Sequence, residues 1–219
     1  MKTSIKINIY DIKNNEGKMV LVTQKAPDFT APAVLHNGDI IENFNFRKYT
    51  AGNATVLFFW PMDFTFVCPS EIIAFNQFYE EFKKRKVKIV GVSFDSVFVH
   101  NAWRNTPINK GGIGVIQYVM VSDIKRNIQK MYDVEHPNLG MALRASFLID
   151  QNGTIYHQVI NDLPFGRNIK EILRMIDAKQ FHEQNGLVCP AQWEKGKDAM
   201  EPTPIGVSKY LNKNRNYLS

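Results

Sequence analysis

Two cysteines, Cys68 and Cys189, are the only thiols in this chain of 219 residues. They do not form a Cys-x-x-Cys pair, which excludes a dithiol motif or zinc knuckle of that spacing. Two cysteines also do not make a secreted disulfide scaffold in a chain this long. Such a cysteine is either an inert small hydrophobe or a reactive thiolate, and its surroundings decide which. Cys68 lies between an apolar run and the helical pattern that starts at Pro69-Ser70-Glu71-Ile72. The first-turn N–H groups of a helix are unpaired and partly positive, so a thiolate is favoured there. That alone has limited effect. A free thiol is about 3% ionised at pH 7, so complete ionisation gains about 30-fold, or about 2 kcal/mol. Fast thiol chemistry also needs donors aimed at the charge that develops. Thr65 stands three residues before Cys68, so a turn puts its hydroxyl beside the sulfur. Pro61 can shape and dry the pocket wall. A cationic donor must come from elsewhere: Arg144 opens an apolar strand pattern and sits at a strand end, where sites on α/β sheets form.

The elements that position these residues are legible as alternating patterns. Residues 54–60, Ala-Thr-Val-Leu-Phe-Phe-Trp, are apolar, β-branched and aromatic and stop at Pro61, which predicts a buried strand. A helix is predicted from about residue 69, with Pro69 in its first turn and Ile72, Phe75, Tyr79 and Phe82 on one face. Val87 to Phe94 predicts a second buried strand, so strand, helix and strand form a βαβ unit with a parallel pair. Further on, the pattern predicts a helix over Val97 to Arg104 and a strand over Val115 to Val121. Asp123 to Tyr132 suits a helix with Ile124, Ile128 and Met131 on one face. Ala145 to Ile149 and Thr154 to Ile160 suit strands joined through Asp150-Gln151-Asn152-Gly153, a hairpin signal. Asn168 to about Phe181 suits a helix, and a short one fits near 204–212. The reading is an α/β domain over 19–180 with a mixed sheet, followed over 181–219 by a C-terminal arm that carries Cys189. Residues 1–18 are polar and rich in Lys and Asn, and read as a flexible extension.

Composition excludes other classes. Hydrophobic residues make up 44% and charged residues 22%, as in a soluble globular protein. Apolar runs are far too short to span a bilayer. Residues 1–18 lack a signal-peptide core, contain no arginine and carry Asp11 and Glu16, so a cytoplasmic location is expected. The net charge of +6 could suggest nucleic acid. Its only dense basic run, Lys83-Lys84-Arg85-Lys86, closes a predicted helix, where cations suit the dipole, so no nucleic-acid partner is expected. His36, His100, His136, His157 and His182 form no metal-ligand pair at helical spacing, and Gly111-Gly112-Ile113-Gly114 is not a phosphate loop. No metal and no cofactor is expected. A carboxylate dyad of Asp63 and Glu71 is disfavoured, and Trp103 and Trp193 read as packing residues.

The stretch Phe58-Phe59-Trp60-Pro61-Met62-Asp63-Phe64-Thr65-Phe66-Val67-Cys68-Pro69-Ser70-Glu71-Ile72 closely resembles the active-site loop of the typical two-cysteine peroxiredoxins. Ser93-Phe94-Asp95-Ser96, His100-Asn101-Ala102-Trp103-Arg104, Asn161-Asp162-Leu163-Pro164 and Gly166-Arg167-Asn168 resemble that family too. Val188-Cys189-Pro190-Ala191-Gln192-Trp193 resembles its resolving-cysteine motif. The resemblance runs from about Met19 to the C-terminus. Trp60 and Ser70 are mild departures, where the family often has Tyr or Phe and Thr.

The resemblance implies a thioredoxin-like fold and a thiol peroxidase acting on hydrogen peroxide and organic hydroperoxides. Cys68 would attack the peroxide and become a sulfenic acid. Thr65 and Arg144 would hold the peroxide, Pro61 would shield the sulfur, Glu71 would orient the arginine, and Arg167 would be the second arginine near the site. Cys189 would then form a disulfide with Cys68, in the family between two subunits, and thioredoxin or a flavoprotein reductase would restore both thiols. Family members form homodimers that can assemble into rings of five. The glycine loop at 111–114 resembles one linked to overoxidation. The Tyr-Phe pair that also contributes is Tyr210-Leu211 here, so intermediate sensitivity is expected. Two other readings of the scaffold are a redox-regulated holdase chaperone or redox relay, and an inert domain. Thr65 and Cys189, both in motif, speak against the inert one.

Overall fold

The computed structural model describes residues 20–215. The expected extension over 1–18 lies outside the described residues. Seven strands form one mixed sheet in the order β2-β1-β5-β4-β3-β6-β7. They are β1 (Thr30–Val34), β2 (Ile40–Asn45), β3 (Ala54–Phe59), β4 (Val87–Ser93), β5 (Val119–Ser122), β6 (Arg144–Ile149) and β7 (Ile155–Asn161). The helices are α1 (Phe46–Thr50), α2 (Cys68–Gln77), α3 (Tyr79–Lys84), α4 (Val97–Asn105), α5 (Asn127–Met131), α6 (Ile169–Asn185) and α7 (Pro204–Lys213). β3 and β4 pair in parallel, as the βαβ reading requires, whereas β3 and β6 are antiparallel. This is the expected thioredoxin-like arrangement of helices against a central mixed sheet.

The sheet buries a separate apolar cluster on each face. One joins Leu57, Phe59, Val90 and Phe147 to Phe46, Ile128 and Tyr132. The other joins Val56, Phe58 and Trp60 to Ile72, Phe75, Trp103, Ile169 and Ile172. The alternation of β3 therefore sends neighbouring aromatics to opposite faces. Phe58 stacks on Phe75 of α2 with ring centroids 4.1 Å apart, which fixes the helix on the strand. Burying one such side chain contributes about 1.5–3 kcal/mol.

Several elements differ from the sequence expectation for local reasons. The predicted helix after Cys68 breaks at Phe78, whose φ of −90° and ψ of 6° separate α2 from α3. The strand predicted over 115–121 starts only at Val119, because the Asn76 side chain captures the Val115 carbonyl and the Gln117 N–H. The helix predicted over 123–132 shrinks to α5. Arg126 is left-handed at φ 58°, and the Asp123 carboxylate accepts from the N–H groups of Ile128 and Gln129. Ile124 and Met131 are thus exposed; Ile128 faces inward as expected, joined there by Gln129 and Tyr132. β1 and β2 were not expected. Pro32 sits at the register shift of β1, where a missing N–H is tolerated. The last core helix runs past Phe181 to Asn185 and ends at left-handed Gly186. From there the arm doubles back through a Val188–Met200 bridge and ends in α7.

Candidate active site

β3 delivers the chain to the site and α2 starts it. Between them, residues 60–67 fold into a loop whose inner side chains, Trp60, Pro61 and Asp63, are buried. Phe64, at φ 55°, turns the chain back toward the helix. Cys68 is the first residue of α2 and is fully buried. Thr65 Oγ1 lies 2.9 Å from Cys68 Sγ and 2.8 Å from the Met62 carbonyl oxygen. A hydroxyl has one proton. It donates to Met62 when the sulfur is a thiol, and to the sulfur when that is a thiolate.

Arg144 reaches the sulfur from across the sheet. The antiparallel pairing of β3 with β6 puts the start of β6 beside the end of β3. Arg144 Nη1 is 3.4 Å from Cys68 Sγ and 2.7 Å from Glu71 Oε2, and Nε donates to the Leu163 carbonyl at 2.6 Å. No hydrogen bond of its Nη2 is found among the described residues.

Glu71, one turn into α2, is held by two arginines. Arg167 donates to it from Nε and Nη2, each at 2.8 Å, and from its backbone N–H at 2.9 Å. Arg167 Nη1 bonds the carbonyls of Phe59 and Ala145, which ties the ends of β3 and β6 together. Burial pushes the Glu71 carboxyl up, but Arg167 and then Arg144 outweigh it and hold it below the usual carboxylate value. Glu71 is therefore a carboxylate fixed between two cations, not half of an acid dyad with Asp63.

Asp63 has its own partners. Its carboxylate accepts from Trp60 Nε1 at 2.8 Å and lies 2.7 Å from His100 Nδ1. His100 Nε2 faces the Val121 carbonyl at 3.2 Å. Both ring nitrogens face acceptors, an arrangement that favours the doubly protonated ring. Burial opposes that charge, but Asp63 and Asp95 overcome it and raise His100 above its usual value. The Asp63 N–H and the Ser93 hydroxyl both donate to Asp95 Oδ2. This buried network anchors the loop to β4 and α4 without touching the sulfur, so His100 has a structural role. The Asp63–His100 pairing itself was not anticipated. Its signal was two ionisable residues in stretches that must be buried, and nothing local said they meet.

The structure thus brings together Cys68, Thr65, Glu71 and Arg144, with Pro61 buried in the same loop. Cys189 is elsewhere, on the arm, 3.6 Å from the Ala178 carbonyl of α6. Both cysteines are free thiols. Among the described residues no group of His, Cys, Asp and Glu has the geometry of a metal site, and no helix is long and apolar enough to cross a membrane. Gly112 admits no side chain, since a Cβ there would stand 1.8 Å from the Thr106 carbonyl oxygen. Trp103, buried, donates to the Gly111 carbonyl and ties this glycine turn to α4.

A family model described as AhpC/TSA family matches residues 22–158, and one described as C-terminal domain of 1-Cys peroxiredoxin matches residues 178–213. The chain is 64% identical over 195 residues to alkyl hydroperoxide reductase C of Buchnera aphidicola subsp. Acyrthosiphon pisum, covering 89% of this chain and 99% of that one. It is 45% identical to the chloroplastic 2-Cys peroxiredoxin BAS1 of Hordeum vulgare, covering 90% and 92%. The solved structure of reduced Plasmodium vivax 2-Cys peroxiredoxin superposes with a TM-score of 0.84 at 45% identity, covering 88% of this chain and 99% of that one.

Proposed function

Because the chain belongs to the AhpC/TSA family and is a peroxidase of the peroxiredoxin type, we propose that Cys68 is the peroxide-reducing thiol and that Cys189 of a second subunit completes its cycle. The observation that carries this reading is the convergence of Thr65 Oγ1 and Arg144 Nη1 on Cys68 Sγ, at 2.9 and 3.4 Å. The Cys68 thiolate attacks one peroxide oxygen. An S–O bond forms, the O–O bond breaks, and the leaving oxygen takes a proton to become water or an alcohol. Negative charge moves from sulfur to the leaving oxygen, so donors fixed on both sides of that path stabilise the transition state more than the ground state. Thr65 holds the peroxide, the Arg144 guanidinium meets the leaving oxygen, Glu71 keeps that guanidinium in place, and Pro61 shields the sulfur. The sulfenic acid at Cys68 is then taken by Cys189 as an inter-subunit disulfide, which a thioredoxin-like donor or a flavoprotein reductase reduces.

Hydrogen peroxide and small organic hydroperoxides are the proposed substrates, since a fully buried sulfur admits only a slim ligand. The functional unit is a homodimer in the cytoplasm, able to assemble as a ring of five dimers. Overoxidation of Cys68 is intermediate. Sulfinic Cys68 is expected by mass spectrometry at high peroxide doses, and its absence there would reject that point.

Cys68→Ser is expected to abolish peroxide consumption, and Cys189→Ser to leave a trappable sulfenic acid and no disulfide-linked dimer on non-reducing electrophoresis. Peroxide turnover by Cys68→Ser at the wild-type rate would overturn the assignment. Coupled assays with thioredoxin reductase and thioredoxin, against a flavoprotein reductase alone, identify the donor.

A further inference from the structure

The turn that carries Cys189 is strapped across α6 by a side chain with no part in the site at Cys68. Arg174 and Ala178 lie one turn apart on the same face of α6. Cys189 Sγ rests against the Ala178 carbonyl, and four residues later the Trp193 carbonyl accepts from Arg174 Nη1 at 2.8 Å. Between them the chain makes a tight turn, closed by the Trp193 N–H on the Pro190 carbonyl, with Gln192 left-handed at φ 58°. The Trp193 ring is buried on Phe181, with centroids 4.9 Å apart. Glu171 fixes the guanidinium from the other side, accepting from Nε at 2.6 Å and Nη2 at 2.8 Å. Arg174 therefore spends two nitrogens on Glu171 and turns the third toward the arm.

We infer that Arg174 is a positioning residue for the second thiol: it straps the Cys189 turn to α6 and supplies the positive charge against which Cys189 ionises. The inference rests on the reading of Cys189 as the thiol that completes the cycle. The charged groups around Arg174 are Cys189 itself, Glu171 on α6, Glu194 on the arm and His157 on β7, and Arg174 is the group among them that acts on Cys189. Burial pushes His157 below its usual value, so Arg174 is the cation of this set. Burial also pushes the Cys189 thiol up, and Arg174 opposes that. The charge matters because the thiolate is the attacking form. Cys189 releases its proton to solvent and attacks the sulfur of the Cys68 sulfenic acid. The S–S bond forms, the S–O bond breaks, and the departing hydroxide takes a proton to become water. Cys189 sulfur is oxidised and Cys68 sulfur reduced to the disulfide level.

The test follows disulfide formation in the full-length dimer after one equivalent of hydrogen peroxide, by rapid quench and mass spectrometry across a pH series. Arg174→Gln is expected to leave Cys68 oxidation unchanged. It should slow disulfide formation about tenfold at neutral pH, the effect of about one pKa unit, and rejoin the wild type at alkaline pH. Arg174→Lys keeps the charge and is expected to restore most of the neutral rate. Glu171→Gln, at an exposed position, removes a competing anion and should shift the profile to lower pH. A strap without an electrostatic role would change the rate by one factor at every pH. Parallel profiles, or no rescue by lysine, overturn the inference. Should Arg174→Gln fail to fold, the Glu171→Gln shift decides, and no shift there rejects it. Cys189→Ser separates the two claims: if a disulfide to Cys68 still forms at the wild-type rate, the underlying reading of Cys189 fails. If it does not form while the Arg174→Gln profile stays parallel, only the role of Arg174 falls.

Discussion

A single nitrogen of Arg144 links Glu71 to Cys68: Nη1 stands 2.7 Å from Glu71 Oε2 and 3.4 Å from the Cys68 sulfur. The carboxylate therefore sets where the guanidinium charge sits relative to the reacting atom. Lysine at 144 keeps a positive charge but presents one ammonium, which cannot serve Glu71, the Leu163 carbonyl, the sulfur and a peroxide together. Arg144→Lys is expected to lower kcat/KM for hydrogen peroxide about 10²- to 10³-fold, the usual cost of losing an aimed donor. Rapid-mixing kinetics check this, and a loss of less than threefold would reject the role.

Glu71→Gln leaves two buried guanidiniums facing a neutral amide. Removing one partner of a buried ion pair costs about 3–5 kcal/mol, so the variant should unfold at markedly lower urea concentration. The pH dependence has a definite sign. Glu71 titrates below its ordinary value of 4.5, so its contribution is complete above that pH and is lost as pH falls through the lower folded value. The stability gap between wild type and Glu71→Gln should be flat at neutral pH and close only in stronger acid. A gap that closes above that pH contradicts the assignment.

Thr65 can be tested by shape against chemistry. Valine matches its volume and lacks the hydroxyl, whereas serine keeps the hydroxyl. Thr65→Val is expected to slow the peroxide step about 10²-fold, and Thr65→Ser to retain most of the rate. Equal rates for the two variants would mean that the 2.9 Å contact with the sulfur is packing only.

His100 gives the opposite pH sign to Glu71. Its value is raised above 6.5, so the His100–Asp63 pair stabilises fully below that pH, and the contribution is lost as pH rises through the folded value. Melting temperatures of the wild type should decline on the alkaline side more steeply than those of His100→Asn, which is less stable at every acidic pH. Identical slopes for the two proteins would sink this account.

What could be read from the sequence was what is decided locally. β3 was legible because its apolar run is unbroken, and Thr65 beside Cys68 followed from a three-residue turn. α5 was not, because side-chain capture by Asp123 and a left-handed Arg126 override the apolar spacing of Ile124 and Met131. β1 was hidden by Pro32, whose place at a register shift only the sheet reveals. In the site, Arg144 was inferred from its position at a strand end. The hold of Arg167 on Glu71 joins residues far apart in the chain, and only resemblance placed them together. The Asp63–His100 pair had no local cue at all.

The seam between β3 and β6 has one more consequence. Cys68, Thr65 and Glu71 hang from one strand's exit, and Arg144 begins the other, with four residue pairs in register between them. A slip of two residues would move Arg144 by about 7 Å along the sheet, and a slip of one would turn it to the opposite face. A misaligned sheet would therefore lose the arginine's share of the rate, so turnover per chain doubles as a quality check on folding.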